Sequence, residues 1–479
     1  MISRRTALLA LATAAAMTTA AACSAASSKP PATAATRATV SATAASSAGA
    51  TATAGASLPD SPVGAQARWL FAAVVHPPIP AAAITAHFDK TVLSKVSPAQ
   101  LDTTLAQVKS LRLDAITTST NDQLVMTVTV NGQSKLQVAI SVDAAGLISG
   151  LLLQPPGPQP TAPPVPTTWA GVESQVRSVA PQVRMLVAKV SGGTCQTVQA
   201  IGAGTPAPLG SAFKLYVLDA LARAVASGKV SWNQQLTVTD QLKSLPSGEL
   251  QNEPDGTRVT VRQAAADMIS DSDNTAANLL MALLGRPAVE AAAAASGMAD
   301  PGLDTPFLTT RELFVLKLVD WPQLANRYLA QPAAGRQALL TSTVDRVPYS
   351  ELTAANAAAW TAPRDIGSLE WFASPTDICH VYGLLAALAG SNPGLAPVAS
   401  VLQINNGGMN LDSSQWRSVW FKGGSEPGVL TLNYLATTRG GQSYVVSVLA
   451  ENPKAALSET AATLTLISAV KGAFELAAR

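Results

Sequence analysis

A serine and a lysine three residues apart, in Ser211-Ala-Phe-Lys214, can make a nucleophile and its base. Gly210 precedes the pair, and Phe213, Val217, Leu218 and Leu221 continue an apolar side, so the segment reads as the start of a helix. Residues one turn apart share a helix face, which puts the lysine within reach of the serine hydroxyl. A lysine withdrawn from water and near another cation has a lowered pKa and can accept that proton. The helix N-terminus favours the negative charge that develops as a carbonyl is attacked. The chain has three histidines. His76 and His87 fall in an N-terminal region, and His380 lies inside an amphipathic helical pattern after Ser374-Pro375. That distribution argues against a Ser-His-Asp triad.

Two further words follow in order. Ser272-Asp-Asn274 alone reads as a capping or turn cluster, but Thr275-Ala-Ala-Asn-Leu-Leu280 opens a helix directly after it. Lys422-Gly-Gly-Ser425 alone reads as a glycine-rich hairpin. Together the three resemble the S-x-x-K, S-D-N and K-T-G set of class A β-lactamases and penicillin-binding proteins. The segment Asp267-Met-Ile-Ser-Asp-Ser-Asp-Asn-Thr-Ala-Ala-Asn-Leu-Leu280 resembles the one that carries S-D-N in class A enzymes, and the likeness extends over residues 168–479.

That resemblance implies a serine hydrolase working through an acyl-enzyme. Ser211 is then the nucleophile and Lys214 its base, and Ser272 relays a proton to the leaving group. Asn274 holds both the Lys214 region and a substrate amide. Lys422, on an edge strand, orients a substrate carboxylate, and the N–H groups of Ser211 and Ser425 form the oxyanion hole. Gly424 permits close backbone approach. The sequence departs from the pattern in two places. Gly423 stands where the family has a hydroxyl residue, removing one hydrogen bond to a carboxylate, of order 1.5–3 kcal/mol. The omega-loop glutamate that serves deacylation has no counterpart after Gly297, where Glu312 and Glu370 are substitutes that fit helix or surface roles better. Slow hydrolysis of the acyl-enzyme follows. This combination resembles a group that includes the esterase-like protein of the clavulanic-acid cluster and mycobacterial β-lactamase-like lipoproteins. It implies esterase-like activity with weak β-lactam hydrolysis. A true β-lactamase or D,D-peptidase, and a non-catalytic cell-envelope binding protein, are the alternatives.

The elements that position these residues are legible in outline. The fold class expected is α+β: a D,D-peptidase/β-lactamase-like domain with an antiparallel sheet and a helical lobe, preceded by a small NTF2-like α+β domain. In the first domain, residues 58–154, a helix covers Ala65–Val75 and another starts at Ser97-Pro98, N-cap followed by proline. Leu124–Val130 and Leu136–Val142 alternate as strands around the hairpin turn Asn131-Gly132. A proline-rich linker spans 155–167. The domain at 168–479 opens with a helix to about Val179 and strands at Met185–Val190 and Thr194–Ala200. It closes with strands at Val429–Thr437 and Ser443–Ala450 and a helix from about Ser458. Ser272 and Lys422 are 150 residues apart, longer than in typical class A enzymes. The surplus at about 306–374 reads as helical over Thr310–Val319, Trp321–Leu329 and Ala334–Leu340, a cap over the cleft.

The remaining features concern address and partners. Residues 1–23 form an export signal: Arg4-Arg5 resembles a twin-arginine motif, and Ala20-Ala-Ala-Cys23 resembles a lipobox with Ala20 for the usual Leu. Lipidation of Cys23 places the protein on the outer face of the cell membrane, and ordinary cleavage near Ala22 makes it secreted. Residues 24–57, nearly free of large apolar side chains, form a disordered tether. The 479 residues are 48% hydrophobic and 13% charged with net charge +2, which gives no reason to invoke nucleic acid. The expected partners are a small-molecule or cell-wall ester or amide and the membrane by a lipid anchor, with the chain a monomer. No Cys or His spacing suits a metal, and no cofactor is expected. Cys195 in a strand turn and Cys379 in a helix read as two buried free thiols in preference to a bridge.

Overall fold

The computed structural model describes residues 57–119, 123–143, 145–154 and 161–479. The expected export signal, with Cys23, and nearly all of the expected tether lie outside these residues. Two compact units divide at Pro158 and Gln159.

Among the described residues of the first unit, four helices precede a four-stranded antiparallel meander. The helices are α1 (Pro62–Ala73), α2 (Ala81–His87), α3 (Lys90–Lys95) and α4 (Pro98–Leu105). Ser61 and Ser97 cap α1 and α4 with proline at the first position, and Gln100 completes a capping box at Ser97. The strands β1 (Leu111–Ser119), β2 (Gln123–Val130), β3 (Ser134–Val142) and β4 (Ile148–Gln154) pair in chain order. Asn131 and Gly132 both have positive φ, 52° and 68°, which suits a tight β2–β3 hairpin. Leu124, Met126, Val128, Val138 and Ile140 face the helices and are buried. The expected order of helices and meander is observed. The short α2 and α3 and the bulged β1 were not foreseen.

The second unit opens with α5 (Trp169–Val179), capped by Thr168. Strands β5 (Gln182–Ser191) and β6 (Thr194–Ile201) follow, joined through Gly192 and Gly193 at positive φ. The short β7 (Ala207–Pro208) leads to a 3-10 turn at Gly210–Phe213 and then α6 (Lys214–Ala226). A small ribbon of β8 (Gln235–Thr237) and β9 (Arg258–Thr260) precedes α7 (Val261–Ser270), α8 (Asn274–Leu284) and α9 (Arg286–Ala295). The long interval contains α10 (Thr310–Leu318), α11 (Gln323–Leu329), α12 (Ala333–Ser342) and α13 (Ala354–Ala359). Then come β10 (Phe372–Ala373), which pairs with β7, and α14 (Pro375–Ser391) and α15 (Ala396–Gln403). The chain finishes with β11 (Trp416–Glu426), β12 (Val429–Thr438), β13 (Ser443–Glu451) and α16 (Glu459–Ala477).

The main sheet runs β11-β12-β13-β5-β6, all antiparallel, with β11 at an edge. Both of its faces are covered. Leu430, Leu432, Tyr434, Val446 and Val448 pack under α5 and α16, whereas Leu435, Val445 and Leu449 join the core of the helical lobe. This two-sided burial explains why β12 and β13 carry apolar residues on both faces, with Thr431, Asn433 and Ser447 as buried polar exceptions. The insertion is helical as expected, but it is not a detached cap. Leu313, Val315, Leu316, Leu324, Tyr328 and Leu340 belong to the main core of the lobe. The second half of the expected linker is also packed. Ser468 Oγ donates to Pro163 O at 2.6 Å and Gln175 Nε2 donates to Pro164 O at 2.7 Å, so these prolines strap onto α16 and α5.

The expectation of two free thiols is overturned: Cys195 on β6 and Cys379 on α14 form a disulfide, with Cα atoms 6.3 Å apart. The fold brings an edge strand against a helix 184 residues later, a proximity that no local pattern encodes. A cross-link over so long a loop stabilises mainly by restricting the unfolded chain. The double variant C195S/C379S is expected to lose roughly 2–5 kcal/mol in denaturant unfolding. An unchanged midpoint with and without reductant in the wild type would rule the bridge out.

Candidate active site

Gly210 takes φ +50°, which turns the chain out of β7 and into the 3-10 turn. In a 3-10 helix, residues i and i+3 eclipse. Lys214 therefore lies directly along the axis from Ser211, and its Nζ donates to Ser211 Oγ at 3.1 Å. The next turn is already α-helical, and Leu215 to Ala222 are buried, which anchors the pair in the lobe.

The lysine is fully buried, and its partners come from the second motif. Nζ donates to Asn274 Oδ1 at 2.6 Å, to Ser272 O at 2.5 Å and to Ser272 Oγ at 3.1 Å. From the opposite side, Lys422 Nζ reaches the same Ser272 Oγ at 3.0 Å and Gly423 O at 2.8 Å. One hydroxyl thus bridges two buried ammonium groups. Burial, and then the nearby Lys422, push the Lys214 pKa well below the usual lysine range, with Asp273 opposing. Burial alone brings Lys422 down to about 7. Lys422 can therefore exist in part as a free amine near neutrality, and Lys214 is shifted in the same direction.

Ser272 occupies φ +57°, a region that costs a serine about 1–3 kcal/mol. Its surroundings hold it there. Ser247 Oγ donates to Ser272 O at 2.8 Å. Asp273 caps α8 by accepting from Ala276 N at 2.8 Å, and it also accepts from Glu249 N and Leu250 N at 2.7 and 2.9 Å. Asn274 Nδ2 donates to Leu245 O at 2.7 Å. One amide hydrogen of Asn274 is thus already committed, so the residue is a scaffold first and has at most one N–H for a substrate.

The sheet supplies the other wall. A Cβ on Gly424 would stand 2.6 Å from Ser211 N and 2.9 Å from Ala212 N, so only glycine permits this contact between β11 and the 3-10 turn. Ser425 follows, and its Oγ donates to Glu459 Oε1 at 2.9 Å. At Gly423 a Cβ would meet the Phe421 ring at 2.8 Å and Thr431 O at 3.0 Å. The ring takes the space that a hydroxyl side chain needs. Thr431 Oγ1 donates to Leu209 O at 3.0 Å, tying β12 to the turn.

Every residue named for the site from the sequence within the described region is therefore in one place: Ser211, Lys214, Ser272, Asn274, Lys422, Gly424 and Ser425. His380 is elsewhere, on α14 against Gly297. Glu312 and Glu370 are both buried, so a surface role is corrected for each. Glu312 closes a capping box with Thr309 and pairs with Arg286 at 2.5 Å. Glu370 accepts from Gly210 N and Trp371 N, each at 3.1 Å, and pairs with Lys317 at 3.3 Å. Reading by motif missed Ser247, Thr431 and the position of Glu370 beside the nucleophile turn. The run Leu-Pro-Ser-Gly at 245–248 signals only a turn.

A helical lobe, an antiparallel sheet and, between them, a hydrogen-bonded Ser-Lys-Ser-Lys chain whose lysines are buried define a β-lactamase-like fold. Residues 176–367 match the beta-lactamase enzyme family, so this part of the chain carries a β-lactamase-family domain. Residues 58–148 match the family described as ORF 12 gene product N-terminal. No curated protein sequence matches the chain. Solved structures similar to it include a β-lactamase from Sphaerobacter thermophilus, 20% identical, with TM-score 0.46, covering 65% of this chain and 98% of that one. Another is PBP-A, 18% identical, with TM-score 0.41 and coverage of 66% and 100%. A β-lactamase from Francisella tularensis is 14% identical, with TM-score 0.45 and coverage of 64% and 98%.

The lowered pKa of Lys422 makes a stability statement. Its folded value lies below its unfolded one, so the unfolded chain binds more protons between about pH 7 and 10. Stability therefore rises with pH across that window and is lowest below it. Lys422→Met removes the buried ammonium and is expected to stabilise the fold by about 1–4 kcal/mol at pH 7. It should also flatten part of the rise, read as Tm against pH. A variant less stable than wild type at pH 7 would show that Lys422 supports the fold instead of burdening it.

Proposed function

We propose that this protein is an exported, lipid-anchored serine hydrolase with esterase-like activity and weak β-lactam hydrolysis. The observation that carries this reading is the buried Lys214 amine, 3.1 Å from the Ser211 hydroxyl, with Ser272 bridging to Lys422. In the first step Ser211 Oγ bonds to the substrate carbonyl carbon and its proton passes to neutral Lys214. The carbonyl electron pair moves to oxygen, which the N–H groups of Ser211 and Ser425 stabilise. Collapse of the adduct breaks the bond to the leaving group. That group takes the proton from Lys214 through Ser272, leaving an acyl-Ser211 ester. Lys422 supplies positive charge beside the relay.

Two features favour a neutral ester over a penicillin-type carboxylate. Gly423 offers no hydroxyl, and Glu459 places an exposed carboxylate on the Ser425 side chain. Deacylation lacks a dedicated base, because all four oxygens of Glu312 and Glu370 are already taken up by scaffold partners. The acyl-enzyme is therefore long-lived. Arg4-Arg5, the apolar run after it, Cys23 and the tether support export and anchoring on the outer face of the cell membrane. The substrate is a small-molecule or cell-wall ester, and the chain acts as a monomer. Helices followed by a four-stranded meander support an NTF2-like reading of residues 58–154.

Intact mass tests the reading directly. Membrane-extracted protein incubated with a fluorophosphonate or a penicillin is expected to gain one adduct. Its base mass should show cleavage before Cys23 plus acyl chains. Ser211→Ala should take no adduct and lose ester turnover by about 10³-fold or more. An unlabelled wild type points to a binding protein that keeps only the fold.

Glu459→Gln removes the exposed charge. The kcat/KM for an anionic ester is expected to rise about threefold to tenfold, as a charge a few ångströms away in water is worth about 1 kcal/mol. A neutral ester should change less than twofold. Equal effects on both esters defeat the electrostatic argument.

A further inference from the structure

We propose that Lys317, Glu370 and Glu426 form a buried clamp that sets the spacing between the two oxyanion donors, acting as positioning residues for acylation. This rests on reading Ser211 as the nucleophile. The three side chains come from three elements. Lys317 is on α10 in the insertion, Glu370 just before β10, and Glu426 at the end of β11. Lys317 Nζ donates to both Glu426 oxygens at 2.6 and 2.8 Å and to Glu370 Oε1 at 3.3 Å. Side-chain exposures are 0% for Lys317 and Glu370 and 5% for Glu426.

Each carboxyl leads to one donor. Glu370 Oε2 accepts from Gly210 N, the residue before Ser211. Glu426 is covalently next to Ser425. The ammonium therefore joins the helical-lobe wall to the sheet wall of the same gap. The rest of the turn is held as firmly: Leu209 N donates to Trp371 O at 2.9 Å and Leu209 O accepts from Thr431 Oγ1. Phe213 stacks on Trp371 with centroids 3.8 Å apart, which fixes the far end of the turn to the Glu370 segment. Lys317 is braced in turn by Arg364, which donates to its carbonyl, and by the Trp360 ring 5.3 Å away.

The charge balance explains how the group survives burial. Burial, and then Glu370, push the Glu426 acid well above the usual carboxylate range, with Lys317 opposing. An acid raised in this way reduces the negative charge that the cluster must hold out of water. A buried ion cluster of this kind adds little net stability compared with apolar packing, and geometric definition is its attested use. An oxyanion hole needs such definition, because its donors must meet the developing oxyanion at about 2.7–3.1 Å.

The experiment uses the full chain and time-dependent labelling by a neutral fluorophosphonate, which separates kinact from KI. Glu370→Asp keeps the charge but draws the carboxylate back from Gly210 N. Glu370→Gln keeps an acceptor of the right length. Glu370→Asp is expected to lower kinact about 10–100-fold with KI within about threefold, less than the 10²–10³ cost of deleting a donor outright. Glu370→Gln should recover most of the rate. Amide hydrogen exchange is read on the same samples, and Glu370→Asp should speed it at 210–213 and 422–426 while sparing β2 and β3. Equal kinact in all three proteins, or a loss shared by kinact and KI in step with Tm, overturns the clamp. If the wild type takes no label, the nucleophile reading fails. The exchange pattern then decides the clamp alone, and unchanged exchange in Glu370→Asp refutes it.

Discussion

The burial of the Lys214 amine is the constraint on which the proposed catalytic unit depends. An ammonium taken out of water costs several kcal/mol unless its hydrogens are met. Here they are met by the Ser211 hydroxyl, the Ser272 carbonyl and hydroxyl, and the Asn274 amide oxygen. These acceptors do more than solvate the charge. They are also the groups a serine hydrolase needs around its base, so solvation and catalytic geometry are one arrangement. Ser272 can serve both lysines only from its left-handed backbone, and that backbone is held by Ser247 and by the Asp273 cap of α8. A strained residue is retained because its neighbours overdetermine it.

The second lysine makes the site electrostatically expensive and chemically useful. Burial, and then the Lys422 charge, lower the proton affinity of Lys214, which favours its neutral form as a base. The cost is spread over the lobe. Arg311 Nη1 donates to Lys243 O at 3.0 Å and Nη2 to Val347 O at 2.6 Å, so the insertion braces the loop before the Leu245–Ser247 segment that supports Asn274 and Ser272. Asn278 Oδ1 accepts from the first residue of α10, Thr310, at 3.0 Å. The long helical segment thus replaces a loop that elsewhere carries a glutamate with one that carries scaffolding.

What could be read from the sequence divides along physical lines. Ser211 and Lys214 were legible because a one-turn spacing is local, although the turn proved to be 3-10, which aligns the pair more closely than an α-turn. Asn131-Gly132 and Ser97-Pro98 were legible because turn and cap chemistry resides in the residues themselves. Strand β1 was obscured by shifts at Leu113/Ala115 and Ile116/Thr118, which break the alternation a strand displays. Cys195 and Cys379 could not be paired, because their approach depends on how α14 packs against β5 and β6. Glu370 illustrates the same limit: a polar residue before Trp-Phe-Ala has no local mark of burial, and only the β7–β10 pairing brings it to Gly210.

The edge position of β11 connects these points. An edge strand has one free side, and here that side closes on the 3-10 turn through Gly424. The strand is pinned by Lys422 near the middle of its second half and by Glu426 at its end, each through a buried lysine contact. Between them the backbone carries only Gly423, Gly424 and Ser425, and the first two cannot take a side chain without displacing Phe421 or the turn. The absence of the family hydroxyl at 423 is therefore a packing consequence of Phe421 as much as a change of polarity. A threonine there without a smaller residue at 421 would have to displace the Phe421 ring and crowd the Thr431 carbonyl. Under the proposed reading, the polarity available to a substrate at position 423 and the packing of Phe421 are therefore coupled at this edge.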